Sequence, residues 1–90
     1  MKYTITYLDD ATIIVFKGGR TFIIDEDFAE CEVSESTSWL KLKHKTIECC
    51  ISSYGSMFWY QNGLLHRDEG PAIVYVSGPK HWYQHGKRIP

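Results

Sequence analysis

The chain has 90 residues, of which 43% are hydrophobic and 23% are charged, and its formal net charge is −1. This composition is ordinary for one folded domain and argues against a disordered chain. No apolar run approaches the ~20 residues that cross a bilayer as a helix, and the alternating first residues are unlike a signal peptide, so we expect a cytoplasmic protein.

The N-terminal residues show a two-residue hydrophobic period, which predicts short β-strands. Residues 2–7 alternate polar and apolar side chains, and residues 12–16 form a nearly continuous apolar run. Lys17-Gly18-Gly19-Arg20 then predicts a hairpin onto residues 21–24. We expect a two-residue turn at the glycines, because both can take positive φ.

Residues 25–35 are acidic, and the sequence leaves their structure ambiguous. Ala29, Cys31 and Val33 alternate with acidic or polar residues, which favours an edge strand with an acidic outer face. Asp25 could instead be the N-cap of a short helix. Both interpretations stay open, with the strand preferred.

This acidic segment is also the preferred binding surface. It contains six acids and no Lys or Arg, so it could steer a partner with a basic patch or imitate DNA phosphates. An aromatic side chain from Tyr3, Tyr7 or Phe28 could anchor the contact. The simpler alternative is an acidic edge that only keeps the chain soluble. The predicted partner-binding residues are Asp25, Glu26, Asp27, Glu30, Glu32 and Glu35.

Residues 39–45 predict a strand with two different faces. Leu40 and Leu42 lie on one face, and lysines lie on the other, with Trp39 at the head of the lysine face. Basic and aromatic side chains on a sheet are typical of proteins that bind single-stranded nucleic acid, although lysines often only protect a sheet edge. The residues of this alternative nucleic-acid site are Trp39, Lys41, Lys43 and Lys45.

Cysteines and histidines give no recognisable catalytic or metal-binding motif. Residues 47–51 predict a strand in which Cys49 and Cys50 point to opposite faces, at least one of them buried. The three cysteines include no Cys-x-x-Cys pair. His81 and His85 are four residues apart, roughly 13 Å along a strand, which is too far for one ion. No sequence feature indicates an oxyanion hole for a cysteine nucleophile, so we predict no enzyme, no metal and no cofactor.

The most specific feature is an internal repeat near the C-terminus. Trp59-Tyr60-Gln61-Asn62-Gly63 recurs 23 residues later as Trp82-Tyr83-Gln84-His85-Gly86. Each copy predicts a strand that ends in a type I′ turn, at Asn62-Gly63 or His85-Gly86, because these residues tolerate positive φ. Residues 66–72, with the sequence His-Arg-Asp-Glu-Gly-Pro-Ala, lie between the copies.

The pattern Trp-Tyr-x-Asn-Gly-x-x-His-Arg-x-x-Gly-Pro-Ala, followed by a second Trp-Tyr-x-x-Gly, resembles the MORN-like repeats of many phage and bacterial proteins. The resemblance covers residues 58–89. The second copy departs from it, with Ile89 and Pro90 where the first has His66 and Arg67, as in a terminal capping repeat. The resemblance implies a stack of β-hairpins that binds a partner without enzymatic activity, and it favours a phage-encoded protein acting in the host cytoplasm.

Together these features predict an all-β, or predominantly β, single domain over residues 1–90. It has eight or nine short antiparallel strands built from successive hairpins, with residues 1–57 holding the N-terminal strands and acidic segment and residues 58–90 the hairpin repeats. Charge is uneven along the chain: residues 1–37 hold three bases and eight acids, and residues 38–90 hold seven bases and three acids. Such polarity bears on association rather than on fold.

The function we expect is that of a non-catalytic protein-binding module. Its most concrete form is a small phage-encoded inhibitor that blocks a host defence enzyme or nucleoprotein complex, such as a CRISPR effector, by direct contact. The alternative is a β module that binds single-stranded nucleic acid through residues 39–45. No membrane partner is expected.

Overall fold

The structure is a computed structural model that describes residues 2–26 and 28–90. No helix in this described part is long and apolar enough to cross a membrane, and all its regular elements are strands. The strands are β1 (Tyr3–Tyr7), β2 (Thr12–Phe16), β3 (Thr21–Ile24), β4 (Glu32–Glu35), β5 (Trp39–His44), β6 (Ile47–Ser52), β7 (Met57–Gln61), β8 (Leu64–Leu65), β9 (Ile73–Val74), β10 (Lys80–Gln84) and β11 (Lys87–Ile89).

The strands form two antiparallel sheets. The small sheet has the order β1-β2-β3, and the large sheet has the order β11-β10-β9-β7-β6-β5-β4, with β8 paired beside β7. Nearly every strand therefore pairs with its neighbour in sequence. The predicted β class and the construction from successive hairpins are confirmed. The two strands beyond the expected nine are β8 and β11, the short return arms of the repeat hairpins.

The core lies between the two sheets. Side chains alternate across each strand, so one face of the large sheet is apolar, and the small sheet packs against that face through β2 and β3. Full burial of each large aliphatic side chain stabilises the fold by roughly 1.5–3 kcal/mol. The buried core residues are Ile14, Phe16, Ile24, Phe28, Leu40, Leu42, Cys49, Ile51 and Trp59.

Thr12 fixes the start of the acidic segment to the small sheet. Its buried Oγ1 donates a hydrogen bond to the carbonyl of Glu26 (2.9 Å) and accepts one from the backbone N–H of Phe28 (3.0 Å). Phe28 is thereby drawn into the core. The preferred strand interpretation is therefore wrong for most of the segment, because tertiary contacts bend it before β4 begins.

The two repeat turns adopt the predicted type I′ geometry. Asn62 and Gly63 have φ values of 52° and 81°, and His85 and Gly86 have 49° and 85°, which is positive φ at both central residues, as this turn requires. The glycine turn after β2 differs from the prediction. Phe16 donates to the carbonyl of Arg20, so the loop has three residues rather than two.

Gly63→Val and Gly86→Val should each lower the free energy of unfolding by about 1–3 kcal/mol, because a β-branched residue is strained at positive φ. An added Cβ at Gly63 meets no atom within 4 Å, so that loss reports backbone strain alone. Thermal or urea melts measure it, with Lys87→Val, an exposed strand position next to Gly86, as the control. Melts unchanged in both glycine variants would contradict the turn assignment.

Candidate binding site

The structural repeat is longer than the sequence motif that revealed it. Two loops 23 residues apart share one hydrogen-bond pattern. The backbone N–H of Ser52 donates to the Ser56 carbonyl at 2.8 Å, and the backbone N–H of Tyr75 donates to the Pro79 carbonyl at 3.0 Å. Gly55 and Gly78 occupy equivalent positions, and each also donates back within its loop. The unit therefore begins before Trp59 and comprises a loop, a strand, a type I′ turn and a return arm.

Arg67 is the centre of a partly buried polar cluster in the first unit. Its guanidinium lies 3.8 Å above the centre of the Trp59 ring. It also donates two hydrogen bonds to Glu26, from Nε at 2.8 Å and from Nη2 at 3.1 Å. A forked, charge-assisted pair of this kind is among the stronger polar interactions in proteins. It joins the acidic segment to the large sheet.

His66 joins the two repeat units. Its Nδ1 accepts a hydrogen bond from the backbone N–H of His85 at 3.0 Å, and its Nε2 lies 2.7 Å from a carboxylate oxygen of Asp68. Because Nδ1 is an acceptor, the ring proton resides on Nε2 and is donated to Asp68. The two imidazoles also stack with centroids 4.4 Å apart. These contacts give His66 a structural role, which is to hold the two repeat units together.

The second unit lacks the cover that Arg67 gives the first. Trp59 is 1% exposed, whereas the equivalent Trp82 is 46% exposed. The residue at the position of Arg67 is Pro90, which cannot stack or pair in the same way. The tryptophan of the motif is thus buried in the first unit and exposed in the second.

Aromatic side chains form a row on the outer face of the large sheet, which is the face opposite the core. Trp39 contacts Phe58 with ring centroids 5.5 Å apart, Phe58 contacts Tyr75 at 5.9 Å, and Tyr75 contacts His81 at 5.8 Å. These distances suit tilted and edge-to-face aromatic pairs. We call Trp39, Phe58, Tyr75 and His81 the ring row. All four side chains are at least partly exposed.

The predicted lysine face adjoins the ring row. Lys41 and Lys43 lie with Trp39 on the outer face of β5, as expected, and both approach Glu48 on β6, at 3.6 and 3.9 Å. Lys45 does not share this face. β5 ends at His44, and Lys45 lies in the following turn with a φ of 58°, so the predicted strand is one residue shorter.

The acidic residues do not form one surface. Asp25 is exposed, but Glu26 is half-buried and its charge is compensated by Arg67, a base from outside the acidic segment. Glu30 lies in a turn with a φ of 62°. Glu32 and Glu35 are exposed on β4 but point to opposite faces of the sheet. The sixth residue, Asp27, lies outside the described residues.

The proposed aromatic anchors of the acidic segment are also placed differently from the expectation. Phe28 is buried in the core and cannot contact a partner. Tyr3 is half-buried and packs its ring against Phe16. Tyr7 is exposed, and its hydroxyl lies 3.5 Å from the sulfur of Cys31. The hydrogen bond to Cys31 is the main cause, and burial the second, that raises the pKa of Tyr7 to about 12.

A cavity of about 220 Å³ lies beside the Arg67 pair. Among the described residues, four carboxylates line it, and Arg67 is the one Lys or Arg. Asp25 and Glu26 are the described members of the acidic segment that reach it. The lining residues are Asp25, Glu26, Ile47, Trp59, Gln61, His66, Arg67, Asp68 and Glu69.

The cysteines of β6 are poor nucleophiles. Burial raises the pKa of the Cys49 thiol well above its ordinary value, and the charge of Glu26 adds to this effect. Burial also raises the pKa of Cys50, although Lys41 opposes the shift. Both thiols therefore stay protonated near neutral pH, whereas nucleophilic attack requires the thiolate. Cys49 packs in the core as a small apolar residue.

Excess EDTA should leave the thermal melt unchanged, because metal-dependent folds lose stability on chelation. Within residues 2–26 and 28–90, no group of three or more His, Cys, Asp or Glu side chains is placed to hold a metal ion. The comparison is a melt of untreated protein at the same ionic strength. A large drop in melting temperature, with zinc recovered by elemental analysis, would overturn the prediction.

No protein-family model, curated protein or solved structure matches the chain. The resemblance to MORN-like repeats therefore stays a prediction from the motif, and the site is interpreted from its own geometry.

Proposed function

We propose that the chain is a non-catalytic protein-binding module whose contact surface is the ring row on the outer face of the large sheet. The observation that carries this proposal is the continuous contact between Trp39, Phe58, Tyr75 and His81. Trp39 lies on β5 and Phe58 on β7, whereas Tyr75 and His81 lie on the two sides of the β9–β10 hairpin. The core packs on the other face of the sheet. The row is therefore not needed to close the core.

Aromatic side chains supply much of the binding energy at protein interfaces, where a few central residues dominate and a polar rim surrounds them. The ring row has this arrangement. Lys41, Lys43 and Glu48 lie beside it, and Glu32 on the edge strand pairs in register with Lys43. Rim charges of both signs select a partner mainly through the association rate.

The same rim favours a protein partner over nucleic acid. Glu48 approaches both Lys41 and Lys43, which reduces the positive field that a phosphate backbone would meet. Single-strand binders combine stacking rings with an uncompensated basic groove. Nucleic-acid binding through Trp39, Lys41 and Lys43, without Lys45, stands as the second candidate, supported by the ring row.

The concrete form of the proposal is an inhibitor that occludes a host defence enzyme, such as a CRISPR effector, in the cytoplasm. The support for this form is the resemblance to repeats of phage proteins, together with the acidic and aromatic character of the sequence. An occluding protein needs a contact surface and no catalytic group, which agrees with the raised thiol pKa values of Cys49 and Cys50.

The test compares partner capture by the wild type with that by Trp39→Ala and Tyr75→Ala. Each variant should lose most capture from a lysate of the source or host cell, measured by quantitative mass spectrometry. Tyr54→Ala is the control, because Tyr54 is also an exposed tyrosine and is not a member of the ring pairs described above. Equal capture by all four proteins would contradict the proposal.

A parallel titration with single-stranded oligonucleotides separates the second candidate. Binding to phosphates releases counterions, so affinity falls steeply with salt. Tight, strongly salt-dependent binding that both ring variants abolish would favour the nucleic-acid function over the protein-binding function.

A further inference from the structure

The two outermost strands of the large sheet carry opposite charges. β4 is one edge, and its sequence is Glu32-Val33-Ser34-Glu35. β11 is the other edge, and its sequence is Lys87-Arg88-Ile89. All seven side chains are exposed, and each edge presents one exposed aliphatic residue, Val33 or Ile89. The acidic N-terminal half and the basic C-terminal half of the sequence thus supply opposite edges of one sheet.

The register of the sheet matches these edges to each other. Six antiparallel steps separate β11 from β4, so the two strands run in the same direction. Following the paired residues across the sheet, Arg88 lies on the same face as Glu32, and Ile89 lies on the same face as Val33. A parallel alignment that places Arg88 beside Glu32 therefore also places Ile89 beside Val33.

We propose that the chain associates head to tail with copies of itself, through pairing of β11 of one copy with β4 of the next. Contact between identical edges is disfavoured, because two acidic or two basic strands repel each other. Contact between unlike edges joins an arginine to a glutamate and one aliphatic side chain to another. Unpaired N–H and C=O groups at a sheet edge supply the backbone hydrogen bonds.

Such an interface is heterologous, so it leaves one free edge of each kind at the ends of every assembly. It forms a ring if the rotation between copies closes, and a filament if it does not. The paired strands are only three or four residues long, so we expect weak, reversible association that high salt weakens. Arg88 already donates to Nδ1 of His81 at 2.9 Å, which holds its side chain at the outer face.

The test is sedimentation velocity of the full chain at low and high salt, over concentrations up to about 1 mM, the range of weak complexes. The wild type should show a sedimentation coefficient that rises with concentration at low salt. Arg88→Glu and Glu32→Arg should each weaken association at least tenfold, because each places like charges together at the contact. Lys17→Glu and Asp10→Arg, which reverse exposed charges in the turns of the small sheet, are the matched controls and should behave as the wild type.

Charge swapping makes the test specific for these two edges. An equimolar mixture of Arg88→Glu and Glu32→Arg should regain association, and so should the double variant that carries both substitutions. A monomeric wild type at all concentrations would overturn the proposal. A mixture and double variant that associate no better than the single variants would also overturn it. Both outcomes are measured as self-association alone, whereas the ring row is tested by partner capture with Trp39→Ala and Tyr75→Ala.

Discussion

Arg67→Ala should lower the free energy of unfolding by about 2–4 kcal/mol, which is a large part of the stability of a 90-residue domain. The substitution removes the fork to Glu26 and leaves that half-buried carboxylate without its partner. It also uncovers the face of Trp59, on which the guanidinium lies. Urea denaturation near pH 7 measures the loss.

Two further variants separate the contributions at Arg67. Arg67→Lys keeps the charge but cannot form the fork, so it should recover only part of the stability. A double-mutant cycle with Glu26→Gln should give a coupling energy of about 0.5–3 kcal/mol. Lys80→Ala, at an exposed lysine of β10, should change stability by less than about 0.5 kcal/mol. If Arg67→Ala were as stable as Lys80→Ala, the cluster would have no structural role.

Thr12→Val should cost about 2–4 kcal/mol, although it changes neither the size nor the shape of the side chain appreciably. Oγ1 of Thr12 both donates to the Glu26 carbonyl and accepts from the Phe28 N–H, and the threonine is fully buried. Valine leaves both backbone groups without this partner, and each unsatisfied buried group costs about 1–3 kcal/mol. Hydrogen exchange at the Phe28 amide should accelerate with the loss of stability.

Thr4→Val is the matched control for Thr12→Val, because Thr4 is exposed on the neighbouring strand β1. It should be neutral or slightly stabilising, since valine favours strands. Equal urea midpoints for the two variants would show that the hydrogen bonds of Thr12 contribute nothing to stability.

The strands and turns were predictable where local sequence determines them. Asn62-Gly63 and His85-Gly86 form the expected turns because positive φ is a property of the residues themselves. The described residues before β4 in the acidic segment were not predictable in this way. The alternation there resembles a strand, but the hydrogen bonds of Thr12 and the burial of Phe28 bend the described chain on either side of residue 27. Those interactions come from residues distant in sequence.

The candidate site was predictable only in part, for the same reason. Trp39, Lys41 and Lys43 were identified as one strand face from their spacing, and they lie on one face. The partners of Trp39 in the ring row lie on other hairpins, so the row depends on a register that the sequence does not display. Arg67 belongs to the repeat motif, yet its pairing with Glu26 spans 41 residues and has no local signal.

The near-sequential order of strands in both sheets has a consequence for the folding rate. All-β proteins usually fold slowly because their contacts join residues that are far apart in sequence. Here almost every strand pairing joins neighbours, and the exception, β7 with β9, skips only the two-residue β8. The distant links, such as Arg20 to Tyr54 and Arg67 to Glu26, connect the large sheet to the small sheet and the chain that follows it. We therefore expect the strands of each sheet to pair quickly, starting from the turns. The docking of one sheet on the other should then set the overall folding rate.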